Sequence, residues 1–397
     1  MQRSERVNHN ILEKDVGVAK CGDYSRERVR TALERSIRSL GIPHLPFKPG
    51  EKVFLKPNML LGTPPERGIT THPEVVRATA ELLLERGCRV TLGDSPGGGV
   101  PFTERSLRSA YIAAGYAEIA DELGIELCCD TSSKPIAYPE GNLAKHFTIL
   151  NAVLEADAVV VVSKLKTHMW MRMTGAAKNI FGVVPGLEKP ALHFRFQTDE
   201  AFAGMLIDLN SLVRSAFHVM DAVNGMEGDG PTSGRARRIG AILASRNPYA
   251  LDVVAARLIS MDPSEVPLLR KAAEWGLLET DCHDVTVVGD PIDDLIVKDF
   301  KKPSSAGGGA RGRFMLSATR FFGRAYAEQP VIRRERCMGC GRCAMNCPAG
   351  AIEVKFGKAR IQNARCIRCY CCHEMCLEHA IVLRRGIAGA LMGRILG

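Results

Sequence analysis

The sequence predicts an α/β protein: a doubly wound, mostly parallel sheet body followed by a small C-terminal α+β domain. Three observations carry this. Strand-like segments alternate with helical segments of roughly 10–20 residues over the first three quarters of the chain, the signature of βαβ units. The segment ADAVVVVSKLKTH (156–168) opens with an unbroken apolar run, as expected of a strand buried on both faces. Nine of the fourteen cysteines fall within residues 337–376, which sets that region apart. The 397 residues suffice for two or three domains at about 100–200 residues each. With 46% hydrophobic and 24% charged residues, the chain is neither disordered nor fibrous.

Each element has its own local reason. VGVAKC (16–21) is strand-like, and 25–41 has helical periodicity stopped by Gly41. KVFLKPNML (52–60) is a strand entering a polar turn. Thr71 and Glu74 are spaced as a capping box for a helix that Gly87 ends. CRVTLGDSPGGG (88–99) is a strand opening into a glycine loop, followed by a helix over 103–124 and a strand over 125–130. After the strand within 156–168 come a helix over 200–215, the strands FHVMDAV and RIGAILAS, helices over 248–260 and 264–276, and a strand over 284–290. The α/β body therefore spans 15–302. Residues 303–330 read as a linker, since PSSAGGGARG is small and polar, with a short basic helix over 313–327. A compact cysteine domain spans 331–383, and 384–397 is a tail.

The net charge of +9 is uneven: residues 298–397 hold 19 Lys and Arg against 6 Asp and Glu, leaving a mildly acidic body. The first residues, MQRSERVNHNILEKD, contain no apolar core of a secretory signal. No window reaches 18 apolar residues, so no transmembrane segment is expected. The expected location is the cytoplasm, where clustered cysteines usually hold metal.

The cysteines follow a duplicated pattern. Cys337, Cys340, Cys343 and Cys347 stand as C-x2-C-x2-C-x3-C before Pro348, and Cys366, Cys369, Cys372 and Cys376 repeat it before Leu377. This unit resembles the bacterial two-cluster ferredoxin domain, so the small domain is expected to be ferredoxin-like. Three closely spaced thiolates reach three corners of a cubane, and in this pattern the fourth cysteine ligates the other cluster. The expected cofactors are two 4Fe–4S clusters, one on Cys337, Cys340, Cys343 and Cys376, the other on Cys366, Cys369, Cys372 and Cys347. A zinc module is the bland alternative, and the duplicated run is far more specific than paired C-x2-C motifs. Cys371 is expected to be a non-ligating thiol.

In the body, four polar or glycine-rich segments leave strand ends, where open α/β sheets bind ligands. They carry Lys56 and Asn58; Asp94 and Ser95; Lys164, Lys166, Thr167, His168, Lys178 and Asn179; and Asp221, Glu227 and Asp229. Lys166 and His168 are the candidates for proton transfer, and Lys56, Asn58, Asp94, Ser95, Lys164, Lys178, Asn179, Asp221 and Glu227 for binding an anionic or polar ligand. Any one such loop is often only a loop; four in one domain favour a pocket.

LKPNML, TTHPEVVRATAELL, LGDSPGG, KLKTHMWMRMTGAAKNIFGVVPG, MEGDGPTSG and ILASRNPYALDVVAARLISMDP resemble the iron–sulfur family known as domain of unknown function 362, often fused to a ferredoxin module. The resemblance covers roughly 15–300 and implies an α/β fold and an iron–sulfur protein. The body is also faintly similar to the nickel-dependent lactate racemase superfamily, from which no residue is carried over.

The expected function is electron transfer by the clusters to or from a redox reaction or partner at the body, an iron–sulfur oxidoreductase in enzymatic terms. A redox partner protein is expected, with a small molecule or an organic cofactor of unknown kind at the pocket. Two alternatives stand beside it: a non-enzymatic ferredoxin-type carrier or docking protein, and a non-redox isomerase or lyase with structural clusters. Nucleic-acid binding is not expected, because aromatic interleaving is sparse in the basic third.

Overall fold

The computed structural model describes residues 13–97, 100–186, 188–304 and 329–384. Eleven strands belong to the body: β1 (Asp15–Lys20), β2 (Lys52–Pro57), β3 (Arg89–Leu92), β4 (Glu126–Leu127), β5 (Ser133–Ala137), β6 (His146–Leu150), β7 (Ala158–His168), β8 (Arg172–Thr174), β9 (Phe217–Glu227), β10 (Arg235–Ser245) and β11 (Thr286–Gly289). The main sheet runs β11-β1-β10-β9-β7-β2-β3-β4, with β8 folded back on β7. Neighbours pair in parallel from β9 through β4 and at β1–β11. β10 is antiparallel to both its neighbours.

That antiparallel strand has a local cause. β9 and β10 are joined by the short turn 228–234, and a turn that short can only return the chain antiparallel. The sheet is therefore mostly parallel, as the alternation of strands and helices predicts, with one hairpin in its middle. β7 shows why its sequence is apolar at successive positions. Val159 and Val161 pack into the core on one face, Val160 and Val162 into the core on the other. Helices Arg26–Ser39, Pro73–Glu85 and Glu104–Ala113 cover the second face, and helices Asp199–Val213, Pro248–Leu258 and Pro267–Glu274 the first.

Several local expectations are corrected. The helix expected over 103–124 breaks at Gly115, whose φ of 76° is left-handed, so Tyr116–Leu123 forms a second helix. The N-cap of helix Pro73–Glu85 is His72, which accepts from the Glu74 N–H at 3.2 Å. Thr71 instead accepts from the Asn58 N–H and donates to the Val162 carbonyl. The loop expected over 221–234 begins as strand: Asp221 to Glu227 lie in β9. The hairpin β5–β6 and the helix Glu188–Arg195 are not signalled by the sequence, because their periodicity is short and mixed.

The C-terminal module holds two small antiparallel pairs, Gln329–Ile332 with Ile381–Arg384 and Ile352–Lys355 with Lys358–Ile361, and two short helices, Arg342–Met345 and Cys371–Glu374. The basic helix expected over 313–327 and the tail beyond Arg384 lie outside the described residues. No described helix is long and apolar enough to cross a membrane.

Candidate functional site: a cationic cavity walled by the cysteine module

The carboxyl ends of the parallel strands meet at one place. β2 ends on Lys56 and Pro57, so Asn58 follows it; β3 ends at Leu92, so Asp94 and Ser95 follow that; and β7 runs on to Lys166 and His168. β7 shifts register against β9 between Lys164 and Lys166. That irregularity separates the two lysines: Lys164 turns to Asp221, while Lys166 and His168 line a cavity of about 80 Å³. A single water occupies on the order of 10–15 Å³ of such space, so a ligand of several non-hydrogen atoms fits. Lys56, Asn58, Asp94, Ser95, Lys178 and Asn179 line the same cavity.

Its polar lining is closely wired. Lys56 Nζ lies 2.8 Å from Asp94 Oδ1 and donates to Asn179 Oδ1 at 3.1 Å. Asn58 Nδ2 donates to the same Asn179 oxygen at 3.0 Å, and the Met59 N–H donates to Asp94 Oδ2 at 2.9 Å. Gly182 permits this crowding, since a Cβ there would come within 2.0 Å of Asp94 Oδ1 and 2.4 Å of Lys56 Nζ. Helix Ala176–Asn179 is held by Asp252, which accepts from the Ala176 and Ala177 N–H groups at 2.6 and 3.1 Å.

Two further residues complete the wall. Lys189 donates to Ser95 Oγ at 2.7 Å and to the carbonyls of Ser95, Pro96 and Val184. His193 stacks on Phe202 with ring centroids 4.4 Å apart. Both sit in EKPALHFR, just past the third segment singled out from sequence; the signal was a lysine and a histidine four residues apart on one short helix.

The fourth wall comes from the other end of the chain. Asn346, Cys371, Glu374 and Met375 of the cysteine module line the cavity. Glu374 Oε1 stands 3.1 Å from His168 Nε2. His168 Nδ1 accepts from the Trp170 and Met171 N–H groups, both at 3.2 Å. The imidazole proton therefore resides on Nε2 and faces Glu374. Outside the cavity, His379 Nδ1 and Ser233 Oγ are 2.8 Å apart across the same junction. Glu374 escapes notice in the sequence, being one of four glutamates scattered through the basic module.

Burial shapes the charges. It pulls Lys166 down to about 7, helped by nearby Lys178, and Lys189 down to about 7. It pulls His168 down to about 4 and His193 to about 3, so both rings are neutral at pH 7. Burial opposes ionisation of Glu374, but His168, Lys178 and His193 outweigh it and hold the carboxyl well below its usual range. Lys56 is lowered and Asp94 raised by burial, each against the attraction of the other. Lys178 is also lowered by burial.

Three of the residues expected to bind a ligand lie elsewhere. Lys164 and Asp221 form a buried ion pair at 2.7 Å, with Tyr24 hydroxyl accepting from Lys164 at 2.9 Å and donating to Asp221 at 2.8 Å. Glu227 pairs with Arg235 at 2.7 Å and accepts from the Lys301 N–H, tying the strand end to the segment leaving the body. These three side chains are satisfied by the protein itself.

In the cysteine module, Cys347, Cys366, Cys369 and Cys372 together line one small void, with Ile352, Ile361 and Ile367 around it. Cys343 lies within electrostatic reach of Cys376, Cys337 and Cys340. The N–H groups of Ala351, Ala380 and Ala359 donate to the sulfurs of Cys347, Cys376 and Cys337 at 3.1, 3.2 and 3.4 Å. Such donors favour thiolate sulfur. Among the described residues, no three His, Cys, Asp or Glu side chains converge as a single metal ion requires. The donor set is all thiol, and four of the cysteines surround a void between apolar side chains, which fits a cluster.

Comparison with known proteins finds two families matching separate parts of the chain. Residues 53–257 match the domain of unknown function DUF362, and residues 330–353 match the 4Fe-4S binding domain. The thylakoid-associated protein sll1697 of Synechocystis sp. is 30% identical over 299 residues, covering 74% of this chain and 88% of that protein. One component of the ion-translocating oxidoreductase complex of Methanosarcina acetivorans is 44% identical over 48 residues, 12% of this chain and 18% of the relative. Among solved structures, the lactate racemase apoprotein of Thermoanaerobacterium thermosaccharolyticum superposes with a TM-score of 0.38 at 13% identity, covering 65% of this chain and 58% of that one.

Proposed function

Because the chain belongs to the DUF362 family and carries a 4Fe–4S binding domain, we propose that it is an electron-transfer protein. In this reading it exchanges electrons between a redox partner protein and a small molecule held in the cationic cavity. The observation that carries the proposal is the shared wall. Cys371 and Asn346 line the cavity and are chain neighbours of Cys372 and Cys347, two of the four cysteines around the void. Residues 15–302 then act as the ligand-binding body and 331–383 as the electron-carrying unit, joined by 303–330 and followed by the tail 384–397.

Two clusters are proposed. Cys337, Cys340, Cys343 and Cys376 would hold one; Cys366, Cys369, Cys372 and Cys347 would hold the other. Bound 4Fe–4S clusters supply one-electron transfer. The remaining roles belong to side chains. Lys166, titrating near neutral pH at the cavity wall, moves a proton to or from the ligand. His168, with Nδ1 occupied and Nε2 on Glu374, holds the module against the body. Lys56, Asn58, Asp94, Ser95, Lys178 and Asn179 position the ligand. The compartment is one that keeps thiols reduced, as in the cytoplasm, in keeping with fourteen free cysteines.

The test uses the full chain prepared anaerobically. It should carry about eight irons and give reduced 4Fe–4S signals by electron paramagnetic resonance. The Cys366→Ala/Cys369→Ala variant should retain roughly four. Wild-type protein with about four irons would refute the second cluster. Mass spectrometry of the co-purifying small molecule, before and after dithionite reduction, tests the electron transfer; a molecule unchanged by reduction of the protein would sink it.

A further inference from the structure

The cavity gathers four lysines, Lys56, Lys166, Lys178 and Lys189, against two carboxylates, Asp94 and Glu374. Lys56 has Asp94, and Glu374 faces His168. Lys189 is surrounded by four acceptor oxygens, and Lys166 donates to the Ile69 carbonyl at 2.7 Å. Lys178, half-buried at the cavity wall, has neither a carboxylate at ion-pair distance nor a hydrogen-bond acceptor among the described residues. An anion bound beside it would favour its charged form.

The neutral groups specify the anion further. Asn179 Oδ1 accepts from both Lys56 and Asn58, which fixes both amides. Asn179 Nδ2 is therefore a buried donor without a partner, and Asn58 Oδ1 a buried acceptor without one. Both residues are at least nine-tenths buried. Thr174 Oγ1, also buried and lining the cavity, is likewise unpaired. Buried polar atoms are nearly always hydrogen-bonded in the functional state of a protein. A ligand that satisfies this set must offer acceptor oxygens to Lys178 and Asn179 and a donor to Asn58.

We infer that the cavity binds a small oxyanion that itself carries a hydroxyl group, its charged oxygens on Lys178 and Asn179 and its hydroxyl donating to Asn58 Oδ1. This rests on the cavity being the ligand site and supplies the substrate class for that reading.

The test is calorimetric titration of the anaerobic, iron-loaded full chain with three probes: glycolate, acetate and glycolamide. Glycolate has the charge and the hydroxyl, acetate lacks the hydroxyl, and glycolamide lacks the charge. Glycolate should bind at least tenfold more tightly than either, the size expected for one lost charge-assisted or buried hydrogen bond. Lys178→Met should weaken glycolate by a similar factor, and Lys178→Arg should restore most of the affinity. Iron content and paramagnetic resonance of the same samples show whether the clusters are intact. With clusters intact, absence of glycolate binding, equal binding of glycolamide, equal binding of acetate, or an unchanged Lys178→Met variant would each overturn the inference. Loss of the clusters would instead count against the electron-transfer reading.

Discussion

At the scale of single residues, the site depends on buried charges whose partners are chosen by the fold. Lys56 is fully buried with Asp94, and removing one member of such a pair leaves an uncompensated charge. Lys56→Met should therefore lower stability by about 3–5 kcal/mol, read by denaturant titration. Lys56→Met/Asp94→Leu should recover part of that loss; a double variant as unstable as the sum of the singles would show that the charges are not coupled. His218 offers a pH signature away from the cavity. Burial lowers it from 6.5 to about 3, so its stabilising contribution is complete above pH 6.5 and is lost as pH falls toward 3. Stability should then fall by up to about 1.4 kcal/mol per pH unit from this residue alone below pH 6.5, and His218→Asn should flatten the profile measured by thermal melting. Residue types at strand ends made most of the cavity legible in the sequence: Lys56, Asn58, Asp94, Lys166 and Lys178 sit in polar segments after apolar runs. Lys164 and Asp221 look the same in sequence, and only the register shift in β7 sends them to Tyr24 instead. Lys189 and Glu374 were not legible, because what makes them matter is the set of atoms from distant segments around them.

At the scale of elements, close approach decides the geometry. Gly17 in β1 lies against helix Arg26–Ser39, where a Cβ would come within 1.9 Å of the Ser36 carbonyl oxygen. Gly17→Ala should push the helix off the sheet and cost about 1–3 kcal/mol. The midpoint of denaturant unfolding checks this; no change would mean that β1 and the helix adjust freely. The alternation of strands and helices was readable because each element signals locally by period and cap. The β9–β10 hairpin was not placed, since pairing partners are chosen across the sheet. The same limit applied to helix 103–124, where one glycine decided between one helix and two.

At the scale of the whole molecule, the cysteine module is too small to stand on its apolar core. Its buried cluster comprises Cys337, Ile352, Ala359, Cys372, Ala380 and Ile381. Domains of this size are marginal without metal or another staple. Removing iron with a chelator should therefore loosen residues 329–384 and, through Glu374 and His379, the cavity wall around 166–182. Hydrogen exchange followed by mass spectrometry should show faster exchange in both regions and none in β1 and β10. Faster exchange confined to the module would mean that it does not hold the wall. The duplicated cysteines were the clearest feature of the sequence; that they close the body's own pocket was invisible, because nothing in their spacing names the surface they meet.

The wall shared by Glu374 and His168 also orders the molecule in time. During synthesis the sheet, its lysines and both faces of helices emerge first, while the residues that finish the cavity are made long afterwards. The body is thus a vessel without its last side until the far end of the chain is made and docks through Glu374.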